Sequence, residues 1–154
     1  MRFSKFLLSA AAITAFLILG TLPSQAQAPG DHPRYLRALS NLRLTRAYLD
    51  RLTPNEVIDQ DSQRAIVEID AAMREIRHAA IDDGQPLSVH PPIDARITPT
   101  DRFHKAREAA NAAWVDINHE EDNEFARGLK RRALTHIEEA IRIVDLIIRR
   151  IDRR

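Results

Sequence analysis

Residues 125–151 read FARGLKRRALTHIEEAIRIVDLIIRRI, and this stretch decides the fold. Phe125, Leu129, Ala133, Ile137, Ala140, Ile141, Val144, Ile147, Ile148 and Ile151 recur at three- and four-residue steps, which is the spacing of one helix face. Arginines fill the other side, and Arg149, Arg150, Arg153 and Arg154 crowd the end, where a helix dipole favours cations. A helix with so broad an apolar face needs other helices to cover it, and the chain supplies three more. Ile143, Leu146 and Ile148 widen the face further, to close the bundle or to meet a second copy in a homo-oligomer.

Working back from it, a third helix is expected from Thr98 or Thr100 to Asn118, with Phe103, Ala106, Ala110, Ala113, Trp114 and Ile117 along one side. A second runs from Pro54 or Asp59 to Asp82. Thr53-Pro54-Asn55-Glu56 has capping-box spacing at its start, and Gly84 is its stop. Its buried face is Ile66, Ile69, Ala72, Met73, Ile76 and Ala80. The first runs from Pro33 to Leu52 behind Asp31 as N-cap, with Tyr35, Ala38, Leu39, Leu42, Leu49 and Leu52 as its stripe. The fourth begins near Asp122. Between the second and third helices, Pro86, Pro91 and Pro92 interrupt regular structure in the longest connection of the chain.

The chain also matches itself at a shift of 68 residues. Arg34-Tyr35-Leu36-Arg37-Ala38 falls on Arg102-Phe103-His104-Lys105-Ala106, and Leu49-Asp50 on Ile117-Asn118. Arg64-Ala65-Ile66 falls on Arg132-Ala133-Leu134, Ile69-Asp70 on Ile137-Glu138, and Ala72-Met73-Arg74 on Ala140-Ile141-Arg142. The simplest reading is a duplicated helical hairpin, and two hairpins face to face make an all-α, up-down-up-down four-helix bundle.

The first 26 residues read as a secretory signal peptide. Arg2 and Lys5 precede an apolar run from Phe6 to Leu19, and Ser24-Gln25-Ala26 gives the small–x–small cleavage pattern. Residues 27–154 are then the bundle domain, periplasmic or secreted, without a stable membrane span. The chain has no cysteine, so packing alone must hold the exported fold. After the signal, 21 basic residues face 22 acidic ones, which is no electrostatic footprint for nucleic acid. The basic residues are almost all arginine, interleaved with acids as on solvated helix faces.

No catalytic motif is present: there is no Cys nucleophile, G-x-S-x-G, P-loop, Rossmann glycine pattern or H-E-x-x-H. Haem attachment through C-x-x-C-H is excluded with the cysteines. The acidic run His119-Glu120-Glu121-Asp122-Asn123-Glu124 lacks the EF-hand ligand order and reads as capping of the last helix. His136, one residue before the core Ile137, reads as a boundary histidine paired with Glu139 or Glu68.

In an up-down-up-down bundle one end would hold His32, His78, His90 and His104 together with Asp82 and Asp83. Four imidazoles and two carboxylates at one pole are the candidate metal site, for Zn²⁺, Cu²⁺ or Ni²⁺. Two functions are therefore expected. The first is an exported, non-catalytic bundle that binds an envelope protein or small ligand, or scaffolds. The second is a metal-buffering protein using those histidines.

The strings HPRYLRALSNLR from His32, EIDAAMREIRHAAIDDG from Glu68, HPP from His90 and RRALTHIEEAI from Arg131 resemble a group of small exported, all-helical bacterial proteins. That resemblance implies export and helices, and it assigns no functional residue. HIEEAI from His136 also resembles phrases in small periplasmic metal-binding four-helix proteins, which are far richer in histidine. Small periplasmic stress chaperones are similar in size, but their L-T-x-x-Q signature is replaced here by Leu52-Thr53-Pro54-Asn55-Glu56.

Overall fold

A computed structural model describes residues 33–50, 60–79, 87–94, 96–119 and 124–153. The expected signal peptide, the Asp31 and Thr53 caps, and the Asp122 cap lie outside these residues. Among the described residues the regular structure is four helices: α1 (Pro33–Asp50), α2 (Gln60–Ala79), α3 (Pro99–Asn118) and α4 (Glu124–Ile151). No described helix is long and apolar enough to cross a membrane.

The best-defined start is that of α3. The Thr98 hydroxyl accepts from the Asp101 amide at 3.1 Å and donates to the Asp101 carboxylate at 2.6 Å, and Pro99 occupies the first turn. A capping side chain here satisfies an amide that the helix itself leaves without a partner. At the other end the His119 amide closes back onto the Val115 carbonyl at 3.2 Å.

The apolar stripes meet in one core. Tyr35, Leu39, Leu42 and Leu49 come from α1, Ile69, Met73 and Ile76 from α2, Ile117 from α3, and Ile137, Ile143, Val144 and Ile147 from α4; all are essentially buried. Alanines at 38, 65, 72, 106, 110, 113, 133 and 140 are buried too, letting the helices approach closely. Ile143 and Ile148 close the bundle, whereas Leu146 remains 39 % exposed. Trp114, expected in the core, is only half-buried: its indole N–H donates to Glu138 at 2.9 Å, which holds the ring at the edge of the α3–α4 seam.

Long-range side-chain contacts fix the direction of every helix. Arg34 Nη1 donates to the His119 carbonyl at 2.7 Å, and Arg37 pairs with Asp116 at 3.3 Å. Three residues up α1 is thus three residues down α3, so these helices are antiparallel. Arg107–Asp145 and Trp114–Glu138 make α3 and α4 antiparallel. Asp61–Arg150, Glu68–His136 and Glu75–Arg132 do the same for α2 and α4. It follows that α1 runs with α4 and α2 runs with α3.

Each helix packs on two others: α1 on α2 and α3, and α4 on α2 and α3, with α1 and α4 diagonal to each other. The order is therefore up-down-down-up, which corrects the up-down-up-down arrangement expected from sequence. The end of α2 and the start of α3 therefore lie at opposite ends of a bundle whose helices are roughly 30 Å long. The stretch between Ala79 and Pro99 is long enough for that crossover, since about ten extended residues would span it. Its residues Leu87, Ser88, His90 and Ile93 lie beside Arg43, Arg46, Ala47 and Asp50 of α1, and Leu87 packs onto the core.

The duplication is visible in three dimensions. Arg46 of α1 bonds Asp70 of α2 at 3.0 Å, and the positions 68 residues later, Trp114 and Glu138, bond each other at 2.9 Å. The matched positions 35/103, 38/106, 42/110, 45/113, 49/117, 65/133, 69/137, 72/140 and 76/144 are buried in both halves. The two hairpins are related by an approximate two-fold axis across the bundle, which pairs α1 with α3 and α2 with α4 in isologous fashion.

Candidate functional site

Of the residues proposed as a metal site, the described histidines, His78, His90 and His104, do not gather. His32, Asp82 and Asp83 lie outside the described residues. His78 is exposed near the end of α2, where it acts on Glu75 beside Arg132 of early α4. His104 is half-buried near the start of α3, at the opposite end of the bundle. The two are separated by roughly 15–20 Å along the bundle axis, judged from the residues of α1 level with each. His90 is exposed on the crossover connection, and its Nδ1 donates to the Pro91 carbonyl at 2.7 Å. Among the described residues no three His, Asp or Glu side chains come together as a metal cradle. The expected pole depended on the up-down-up-down order; once α3 is reversed, His104 moves to the far end.

The polar chemistry sits instead along the seams between helices. On the α2–α4 seam, Arg132 donates to Glu75 at 2.9 Å, and this hydrogen bond holds the Glu75 carboxyl below its ordinary range. The same bond raises the Arg132 guanidinium. Glu68 meets His136 at 2.7 Å and Asp61 meets Arg150 at 2.6 Å. On the α1–α2 seam, Arg46 holds Asp70 at 3.0 Å and Asp50 at 3.1 Å. Two arginines leave the solvated faces altogether: Arg43 and Arg102 are each 4 % exposed, and Arg102 lies 4.9 Å from the centre of the Phe103 ring. Sequence patterning missed both, because each sits one step off an apolar stripe.

Open clefts lie on the surface of the described residues. One of about 260 Å³ runs between α1 and the crossover connection, lined by Arg43, Arg46, Asp50, Leu87 and His90. Another of about 310 Å³ follows α4 past Arg127, Lys130, Arg131, Leu134 and Glu138. A further one, about 210 Å³, lies over the α2–α4 seam by Arg64, Val67, Glu68 and Ile143. Each combines charged side chains with a strip of apolar surface, which suits contact with another chain better than enclosure of a small molecule. No protein-family model, curated protein or solved structure matches this chain.

Proposed function

We propose that the chain is an exported, non-catalytic helical bundle that acts in the cell envelope by binding or scaffolding a partner protein. The observation that carries this reading is the use of its ionisable side chains. Arg37–Asp116, Arg46–Asp70, Glu75–Arg132, Asp61–Arg150, Arg107–Asp145 and Glu68–His136 each join two helices. Groups committed to cross-linking helices are not poised to transfer protons or attack a substrate, which require a group aimed into a pocket. A rigid, cross-linked bundle with apolar strips on its outer seams is a presenting surface.

The test is expression of the whole chain in a secreting bacterial host, followed by fractionation and intact-mass measurement. Protein is expected in the periplasm or medium, beginning at Gln27. Protein that keeps Met1 and stays in the cytoplasm or inner membrane overturns the exported reading.

A further inference from the structure

The approximate two-fold relates surfaces as well as side chains, and on one surface the two halves differ. In the first half, the connection residues Leu87–Ile93 lie along Arg43, Arg46, Ala47 and Asp50 of α1. Arg43 there is 4 % exposed, and the neighbouring Ile66 and Met73 of α2 are 3 % and 0 % exposed. The equivalent α3 positions are Asn111, Trp114, Val115 and Asn118. Val115 is 49 % exposed where Ala47 is half-buried, and Asn111 is exposed where Arg43 is buried. The equivalents of Ile66 and Met73 are Leu134 and Ile141, and both are only half-buried. The α3–α4 seam is thus the counterpart of the seam on which the connection lies, and the described residues leave it open. The cleft of about 310 Å³ beside Leu134 continues this open surface, with Arg127, Lys130 and Arg131 on its rim.

We propose that the open α3–α4 seam docks a proline-containing segment of a partner protein, in neither helix nor strand, that carries acidic side chains. This rests on the reading of the chain as a binding bundle. The occupant's form follows from the equivalent seam, where the chain's own Leu-Ser-Val-His-Pro-Pro-Ile segment, a turn at Leu87 and Ser88 followed by residues in neither helix nor strand, is seated with Leu87 against the core. Proline-containing segments lose little entropy on docking, and aromatic side chains are their usual platform. Here Trp114 is that platform, held at the seam by its bond to Glu138. The acidic character follows from the balance of charge along the cleft, where Arg127, Lys130 and Arg131 outweigh the one carboxylate, Glu138, which already accepts from Trp114; that balance favours carboxylates and disfavours basic segments.

Trp114 is the only tryptophan in the chain, so its fluorescence reports on this seam alone. Two synthetic peptides serve as probes for the whole chain: Pro-Leu-Ser-Val-His-Pro-Pro-Ile with two aspartates at each end, and the same core with lysines instead. The proposal expects a saturable change in Trp114 emission with the aspartate peptide. Affinity is expected to be about tenfold weaker with the lysine peptide and in Arg131→Glu. It is expected to be lost in Val115→Asp, whose exposed position leaves the helix content by circular dichroism unchanged. No emission change with either peptide up to about 1 mM overturns the proposal. Binding that survives both Val115→Asp and Arg131→Glu also overturns it: the seam fails, while the binding-bundle reading stands. Emission that instead follows protein concentration, with a doubled mass by light scattering, assigns the seam to a second copy of the chain and overturns the partner segment.

Discussion

Glu68 and His136 stand at the same position in the two halves of the chain, 68 residues apart, and they bond to each other: Nδ1 of His136 lies 2.7 Å from a Glu68 carboxylate oxygen. A residue can touch its own counterpart only if it lies close to the axis relating the halves. The pair therefore marks the two-fold on the α2–α4 side, one residue from the buried Ile69 and Ile137, which are also counterparts.

Exchanging the two residues tests this placement. Glu68→His alone and His136→Glu alone each set like groups against each other, and each is expected to lower stability by roughly 1 kcal/mol. The double exchange restores the pair in mirror order and is expected to recover most of that loss. Urea unfolding of the four proteins is the measurement. A double variant as unstable as the two losses added together would show that the pair is not near an axis.

The same symmetry sets the cost of core truncation. Ile69 and Ile137 are both fully buried, so Ile69→Ala and Ile137→Ala are each expected to lose roughly 2–5 kcal/mol, and by similar amounts. A small loss at one of them would mean that the two halves pack differently at their centre. Thr98→Ala removes the α3 cap and is expected to cost about 1 kcal/mol.

Acid should weaken the α2–α4 seam. The Arg132 hydrogen bond lowers the Glu75 carboxyl from its ordinary 4.5, so the folded state holds this proton less tightly than the unfolded chain. A carboxyl shifted in that direction contributes fully above about pH 4.5 and loses its contribution as the pH falls through the lowered folded value. Glu75→Gln is expected to be less stable than the parent at pH 7, by under about 1 kcal/mol because Arg132 is half-exposed. The difference should shrink toward zero in strongly acidic solution. Unfolding midpoints at pH 7 and pH 3 measure it, and a difference that grows on acidification would contradict the assignment.

With His78 and His104 at opposite ends of the bundle, they cannot share one ion. In a calorimetric titration with Zn²⁺, Cu²⁺ or Ni²⁺, His104→Ala is expected to leave untouched any binding that His78→Ala removes. Loss of one and the same stoichiometric site in both variants would contradict the up-down-down-up order of the helices.

The helices were legible in the sequence because their stripes are long and regular: α1, α3 and α4 begin and end within about two residues of the expected positions. The duplication was legible too, since positions such as Ala38/Ala106 and Ile69/Ile137 match without a gap. Its geometry was not. A repeat says which residues correspond, but an axis along the bundle and an axis across it give the same correspondence. The length of the connection from 80 to 98 was the one sequence feature that favoured a crossover, and with the order of the helices went the expectation that His78 and His104 share one end. Glu68 as a partner of His136 was readable, because helix-face geometry confines a boundary histidine to few neighbours. The open α3–α4 seam was not readable, since it emerges only when exposures at equivalent positions, such as Arg43 and Asn111, are compared.

The antiparallel closure of two equivalent hairpins can be read from a pair of distances. The chain has no cysteine, so spin labels can be placed at will on introduced cysteines. Arg37, Asp101 and Val115 are all exposed. One doubly labelled variant carries cysteines at 37 and 115, and the other at 37 and 101. In the up-down-down-up bundle the 37–115 distance is expected to be the shorter, with 37–101 longer by roughly 10–15 Å, because fourteen helical residues separate the α3 positions. The reverse order, with 37 closer to 101, would place α3 parallel to α1 and contradict the up-down-down-up bundle.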